Sequence, residues 1–176
     1  ELHVVPVECG LRVGVWLGSE DAPTRHMAMA ALAAIAEAAS AGTASSWRGE
    51  AVALALEDLR RRPQDRRFEE ASLLRLLGTC SSHTGMPVAE VLQLATVRMH
   101  ALAACVEDAG EEQSLADALV GFEALLAAVT GHAASWPPGL HGGIAMLLSE
   151  LVRRSVDGPT SSTPVRRGAA HCCGRL

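Results

Sequence analysis

Lysine, asparagine and tyrosine are absent from this chain of 176 residues. Every permanent side-chain cation is therefore an arginine, which excludes a lysine Schiff base, a lysine general base and a P-loop lysine. Without tyrosine no phenol can donate a proton, and without asparagine no N-linked glycan can be attached. The three missing types share AT-rich codons, so the gene reads as GC-rich. Long uninterrupted apolar runs are also missing. The stretches 27–42 and 115–131 carry Glu37, Asp117 and Glu123, so they read as core helices and not as membrane spans. No G-x-S-x-G, H-E-x-x-H, C-x-x-C, Walker or dinucleotide-binding glycine pattern occurs, nor the Glu-x-x-His of a di-iron bundle. The expectation is a chain that is not an enzyme, with no catalytic residues, no cofactor and no metal.

What is present suits a single packed domain: 49% of the residues are hydrophobic, which is incompatible with wholesale disorder. Net charge is −5, which disfavours a generic nucleic-acid coat. Five cysteines form an odd set without framework spacing and read as reduced thiols, placing the chain inside the cell, in the cytoplasm.

One short pattern recurs between helical stretches. Gly42-Thr43-Ala44-Ser45-Ser46-Trp47 returns as Gly78-Thr79-Cys80-Ser81-Ser82-His83 and as Gly131-His132-Ala133-Ala134-Ser135-Trp136. In each copy the glycine suits the left-handed residue that closes a helix, and the serine suits the cap that opens the next. The helix after the first copy, Val52–Arg62, aligns with Ile144–Arg154 after the third: the apolar positions coincide, then an acid, a leucine and an arginine pair. Gly42 and Gly131 are 89 residues apart, or two units of about 44. From Asp21 to Val156 the chain thus resembles HEAT and armadillo repeats, tandem helix pairs of similar period. That resemblance implies an all-α fold of about six helices in three stacked antiparallel pairs, a short α-solenoid. It also implies a groove, lined by the second helix of each pair, that receives segments of a protein partner.

Taken in order, 1–20 reads as an N-terminal cap. Leu11, Val13, Val15 and Leu17 alternate with Arg12, Gly14 and Trp16, which predicts a half-buried strand that Leu2–Val7 would pair with as a small β-hairpin. Residues 21–156 form the helical-repeat domain. Its helices are predicted from about Asp21 to Gly42, Trp47 to Arg62, Arg66 to Leu77, Pro87 to Asp108, Ser114 to Val129 and Leu140 to Val156. In the fourth, Val88, Leu92, Ala95, Met99, Leu102 and Val106 form the apolar stripe, and Glu90, Gln93, Thr96, His100 and Glu107 the polar one. In the fifth, Ser114 with Asp117 looks like a capping box, and Leu115, Leu119, Phe122, Leu126 and Val129 face the core. Residues 157–176 read as a flexible tail.

The candidate partner-binding residues are Arg60, Arg61, Arg62, Arg153 and Arg154, with Trp47 and Trp136 as apolar anchors. Arginine makes forked bonds to carboxylates and phosphates, and both clusters are expected on one edge of the stack, where they also suit the negative ends of their helices. Arg66 and Arg67 extend the first cluster, and a nucleic-acid-binding regulator using Arg60–Arg67 is the alternative reading. A small-ligand-sensing helical bundle is another. Cys80 and His83 have the spacing of half a zinc site, with His171, Cys172 and Cys173 as distant ligands, but no second pair completes the four that a structural site needs. Cys173-Gly174-Arg175-Leu176 has the outline of a prenylation box, and Arg175 sits where an aliphatic residue belongs.

Overall fold

The computed structural model describes residues 10, 12–38, 46–61, 70–81, 88–106, 109–130, 136–157 and 162–176. Among these the chain is entirely helical. A 3₁₀ turn η1 (Val15–Gly18) precedes seven α-helices: α1 (Ala22–Ala38), α2 (Ser46–Arg61), α3 (Glu70–Ser81), α4 (Val88–Ala104), α5 (Ala109–Val129), α6 (Leu140–Asp157) and α7 (Thr163–Cys173). Helices α1 to α6 fall on the six stretches predicted to be helical; η1 and α7 do not.

The strand expected over Leu11–Leu17 is replaced, over its described part, by the helical turn 12–14 and η1. Alternation over so few residues also contains an i, i+4 pair, Val13 and Leu17, and a helix puts those two on one side. Leu17 is buried and Val13 packs on the core, whereas Val15 between them is 76% exposed. The proposed partner strand, Leu2–Val7, lies outside the described residues.

The flexible tail expected at 157–176 is corrected by α7. Ser162 caps the helix by accepting a hydrogen bond from the Val165 N–H at 3.4 Å, and Pro164 sits in the first turn, where its missing donor costs nothing. Val165, Ala169 and Cys172 follow four- and three-residue spacing and are buried. The Cys172 thiol donates to the Leu119 carbonyl at 3.5 Å, and Arg175 Nε donates to Glu123 at 3.2 Å.

Helices pack mainly on the helix after next. The most extensive contact joins α3 and α5; α1 packs on α3, and α7 on α5, giving a row in the order α1, α3, α5, α7. Against this row lie α2, touching α3 and α4, then α4, touching α5, and then α6, touching α4 and α7. Contact between α3 and α4 is slight by comparison. The core sits in the row: Leu73, Leu74, Leu76, Leu77 and Cys80 of α3 and Leu115, Leu119, Phe122, Leu126 and Val129 of α5 are all buried.

The α3–α5 contact is close because of Gly78. A Cβ there would lie 2.7 Å from both the Ala124 carbonyl carbon and the Leu125 nitrogen, which are backbone atoms that cannot swing aside. Gly78 therefore does not close its helix, as the second corner predicted; α3 runs on to Ser81, and the glycine lets two backbones touch. The first corner, from Gly42 to Ser45, and the third, from Gly131 to Ser135, lie outside the described residues.

One further start differs from expectation, and one agrees with it. Helix α5 begins five residues before Ser114, whose hydroxyl donates to the Gly110 carbonyl within the helix at 3.0 Å, so it caps nothing. Glu111 and Glu112 occupy its first turn, where carboxylates meet the positive end of the helix dipole. At α1 the cap is Asp21, whose carboxylate accepts from the Thr24 N–H at 2.9 Å and from the Thr24 hydroxyl. The hydroxyl bond is the main cause holding the Asp21 carboxyl below the usual range.

Candidate interaction surface

The arginines singled out in the sequence lie near the ends of α2 and α6, and α4 lies between them. Arg60, in the last turn of α2, donates through Nε to Glu90 Oε1 in the first turn of α4 at 2.8 Å. Arg153 and Arg154 both bond Glu150, on the preceding turn of their own helix, at distances of 2.7 and 2.8 Å. The Arg153 bond first, and the Arg154 bond second, lower the Glu150 carboxyl to about 2. Arg154 Nη1 also reaches the Ala103 carbonyl in the last turn of α4 at 3.5 Å. These groups are substantially exposed, so solvent screens each pair and its contribution to stability is small.

The two clusters do not share an edge. One is held at Glu90 and the other at Ala103, thirteen helical residues apart, or about 20 Å along α4. Sequence spacing put them at matching places on their own helices, but the end of α2 meets the start of α4 while the end of α6 meets the end of α4. Arg61 is described by its backbone alone, as the last residue of α2, and Arg62, Arg66 and Arg67 lie outside the described residues.

Trp47 is the second residue of α2 and is likewise placed by backbone alone. Trp136 precedes α6 by four residues, so the two tryptophans do not hold the same position relative to their helices. The Trp136 ring is half-buried against the core, with its centroid 6.2 Å from that of His141. Its indole packs inward, as a wedge at the base of α6.

A surface that sequence reasoning missed lies on α4 and α6. Thr96, assigned to the polar face of α4, is buried, and its hydroxyl donates to the Leu92 carbonyl at 2.7 Å. That bond satisfies the hydroxyl within the helix and lets the face rotate. The solvent side of α4 is instead Gln93, Val97, His100 and Ala104, and that of α6 is Gly142, Met146, Ser149 and Arg153, each at four- and three-residue spacing. Val97 is 59% and Met146 71% exposed. The signal was present in the sequence as a lone valine and a lone methionine beside polar positions, a pattern that does not reveal which way a helix turns.

Cys80 and Cys172 are packing groups. Burial pushes the Cys80 thiol up to about 11 against an opposing pull from the nearby Arg48 guanidinium, and burial pushes Cys172 up to about 12. Zinc requires thiolate, so neither is poised as a ligand. His83 lies outside the described residues, and among the described residues no group of three or more His, Cys, Asp or Glu side chains gathers to hold a metal. The Arg175 N–H donates to the Cys172 carbonyl at 3.0 Å and that of Leu176 to Cys173 at 3.3 Å, which folds the last residues against the end of α7. Among the described residues no helix is long and apolar enough to cross a membrane.

No family model, no curated protein and no solved structure matches this chain.

Proposed function

We propose that the chain is a non-catalytic helical-repeat scaffold, or a subunit of a larger assembly, that holds a protein partner. The observation that supports it most is the packing of alternate helices. Helices α1, α3, α5 and α7 lie in one row, and α2, α4 and α6 lie against it at α3, α5 and α7, so that each second helix covers the helix that follows it. Stacked repeats bury their first and second helices in this alternating manner, each unit covering the next. The chain is then read as a short α-solenoid of the HEAT and armadillo kind, closed by α7.

The partner lies across α4 and α6. Val97 and Met146 are large apolar groups in solvent, bordered by His100 and Arg153, and such a mix of apolar centre and polar rim suits a protein segment. Arg60, Arg153 and Arg154 already carry carboxylates, which leaves them rim groups and weakens their case as a phosphate track.

A photo-crosslinking residue placed at Val97 or Met146 tests the reading. The expected product is a protein adduct, lost when Val97→Asp and Met146→Asp are combined. Recovery of nucleic acid in its place, with affinity falling steeply in salt, would overturn it in favour of the nucleic-acid-binding regulator.

A further inference from the structure

We propose that Thr163, the first residue of α7, is a phosphorylation site for a proline-directed protein kinase, and that the phosphate steadies the helix through Arg166 and Arg167. The site lies apart from the face of α4 and α6, so it goes beyond the function proposed above.

The chain has eight prolines, and only Pro164 follows a serine or threonine. Thr163-Pro164-Val165-Arg166 sets a basic residue three places beyond the hydroxyl, the local pattern that proline-directed kinases accept. The structure separates this threonine from the other described ones. Thr24 donates to the Asp21 carboxylate, and Thr79, Thr96 and Thr130 donate to the carbonyls of Arg75, Leu92 and Leu126 on their own helices. Thr163 is exposed, and its hydroxyl bonds no other described group. A proline disfavours helical conformation in the residue before it, so Thr163 is where α7 opens most readily into the extended chain that a kinase grips. In the transfer, Thr163 Oγ1 forms a bond to the γ-phosphorus of a nucleoside triphosphate held by the kinase. The bond from that phosphorus to the bridging oxygen breaks, the nucleoside diphosphate leaves, and the hydroxyl proton passes to the catalytic carboxylate of the kinase.

The charges of α7 suit the product. Arg166 and Arg167 follow Thr163 by three and four residues, the spacing at which side chains meet on a helix. Both are exposed, and among the described residues neither has an ion-pair partner. The helix contains no carboxylate, and Glu123 of α5 is engaged at its other end, by Arg175 at 3.2 Å and His171 at 3.7 Å. A phosphate on Thr163 brings close to two negative charges beside two arginines whose forked donors match its oxygens. Helix α7 has only 11 residues, too few to be stable alone, and Val165, Ala169 and Cys172 reach the core together only when the helix is formed. Fixing its first turn therefore tightens the seat of α7 on α5.

The full chain, incubated with ATP, magnesium and a purified cyclin-dependent kinase, gives the test. The expected product carries one phosphate, mapped to Thr163 by mass spectrometry and absent from Thr163→Val and Pro164→Ala. Circular dichroism melts on both variants establish that the fold is kept. Amide hydrogen exchange across residues 165–172 should slow by about fivefold in the phosphorylated chain, and the slowing should shrink in high salt. Arg167→Gln, which leaves Thr163-Pro164-Val165-Arg166 intact, should accept the phosphate and lose part of the slowing. A full chain that takes up no phosphate overturns the proposal, as does phosphate placed on another residue. Exchange that is unchanged or faster after phosphorylation overturns the part given to Arg166 and Arg167. None of these outcomes alters crosslinking at Val97 and Met146, so the two readings fail separately.

Discussion

The two ends of the helical row are finished differently. Helix α7 is narrow on its buried side, with Val165, Ala169 and Cys172 in the core, and is tied down by polar bonds to α5 from Cys172 and Arg175. Its solvent side is arginine-rich. Helix α1 buries more, through Ala28, Met29, Leu32, Ala33 and Ala36, yet Met27 on its solvent side remains 71% exposed and neighbouring η1 leaves Trp16 58% exposed. A terminal helix can be held by a few well-placed contacts and present charge, or by a broad apolar seat and present apolar surface. This molecule does one at each end.

The strongest way to break the comparison is to remove α7. Deleting residues 163–176 would be neutral if they were a loose tail. With Val165 and Cys172 seated and Leu119 covered, the deletion should cost about 4 kcal/mol, measured by urea denaturation. Next is Gly78→Ala, which strikes the contact that both ends depend on. Helix propensity alone would favour alanine by about 1 kcal/mol. The clash with the Ala124 and Leu125 backbone opposes it, and overpacking of this kind costs about 1–3 kcal/mol and sometimes more. The net expectation is a lower melting temperature, while Gly49→Ala in α2, where a Cβ meets nothing within 4 Å, should be neutral or stabilising.

Thiol labelling sharpens the comparison further. With α7 docked, Cys173 is exposed and should react in the native state, while its neighbour Cys172 and the distant Cys80 stay protected until unfolding. Equal labelling of Cys172 and Cys173 would mean an undocked helix. The same burial makes stability fall at high pH. Both thiols have folded values raised above their ordinary 9, so their contribution is complete below that value and is lost as pH rises towards about 11 for Cys80 and 12 for Cys172. The smallest effect belongs to Glu150. Its carboxyl is lowered to about 2, so its contribution is present above the ordinary 4.5 and fades as pH falls towards 2. Because the group is exposed, Glu150→Gln should move the acid melting curve only slightly, and less in high salt.

Much of this architecture was legible. Periodicity located α1 to α6, and the stripe Leu115, Leu119, Phe122, Leu126, Val129 is buried as its spacing predicts. Glycine misled where its two uses look the same in sequence: Gly78 could end a helix or admit a neighbour, and only the position of Ala124 decides. Helix α7 was hidden because just three of its residues are buried, although Ser162 before Pro164 and the 165, 169, 172 spacing carried the signal. The site was less legible than the fold. Glu150 could be read as a partner of Arg153 and Arg154 from their spacing on one helix. Glu90 as the partner of Arg60 depends on how α2 meets α4, which no local pattern contains.

The seat of Gly78 also bears on how the chain acquires its shape. It joins residues about 46 positions apart, with the whole of α4 looped between them. Simple repeat arrays can grow from neighbour to neighbour, each unit finding its support in the one just made. Here α3 emerges from synthesis well before α5, and although α1 and α2 already lie on it, its most extensive contact waits until α5 arrives. The half-made chain is thus the species most exposed to aggregation, and the one on which a chaperone would act.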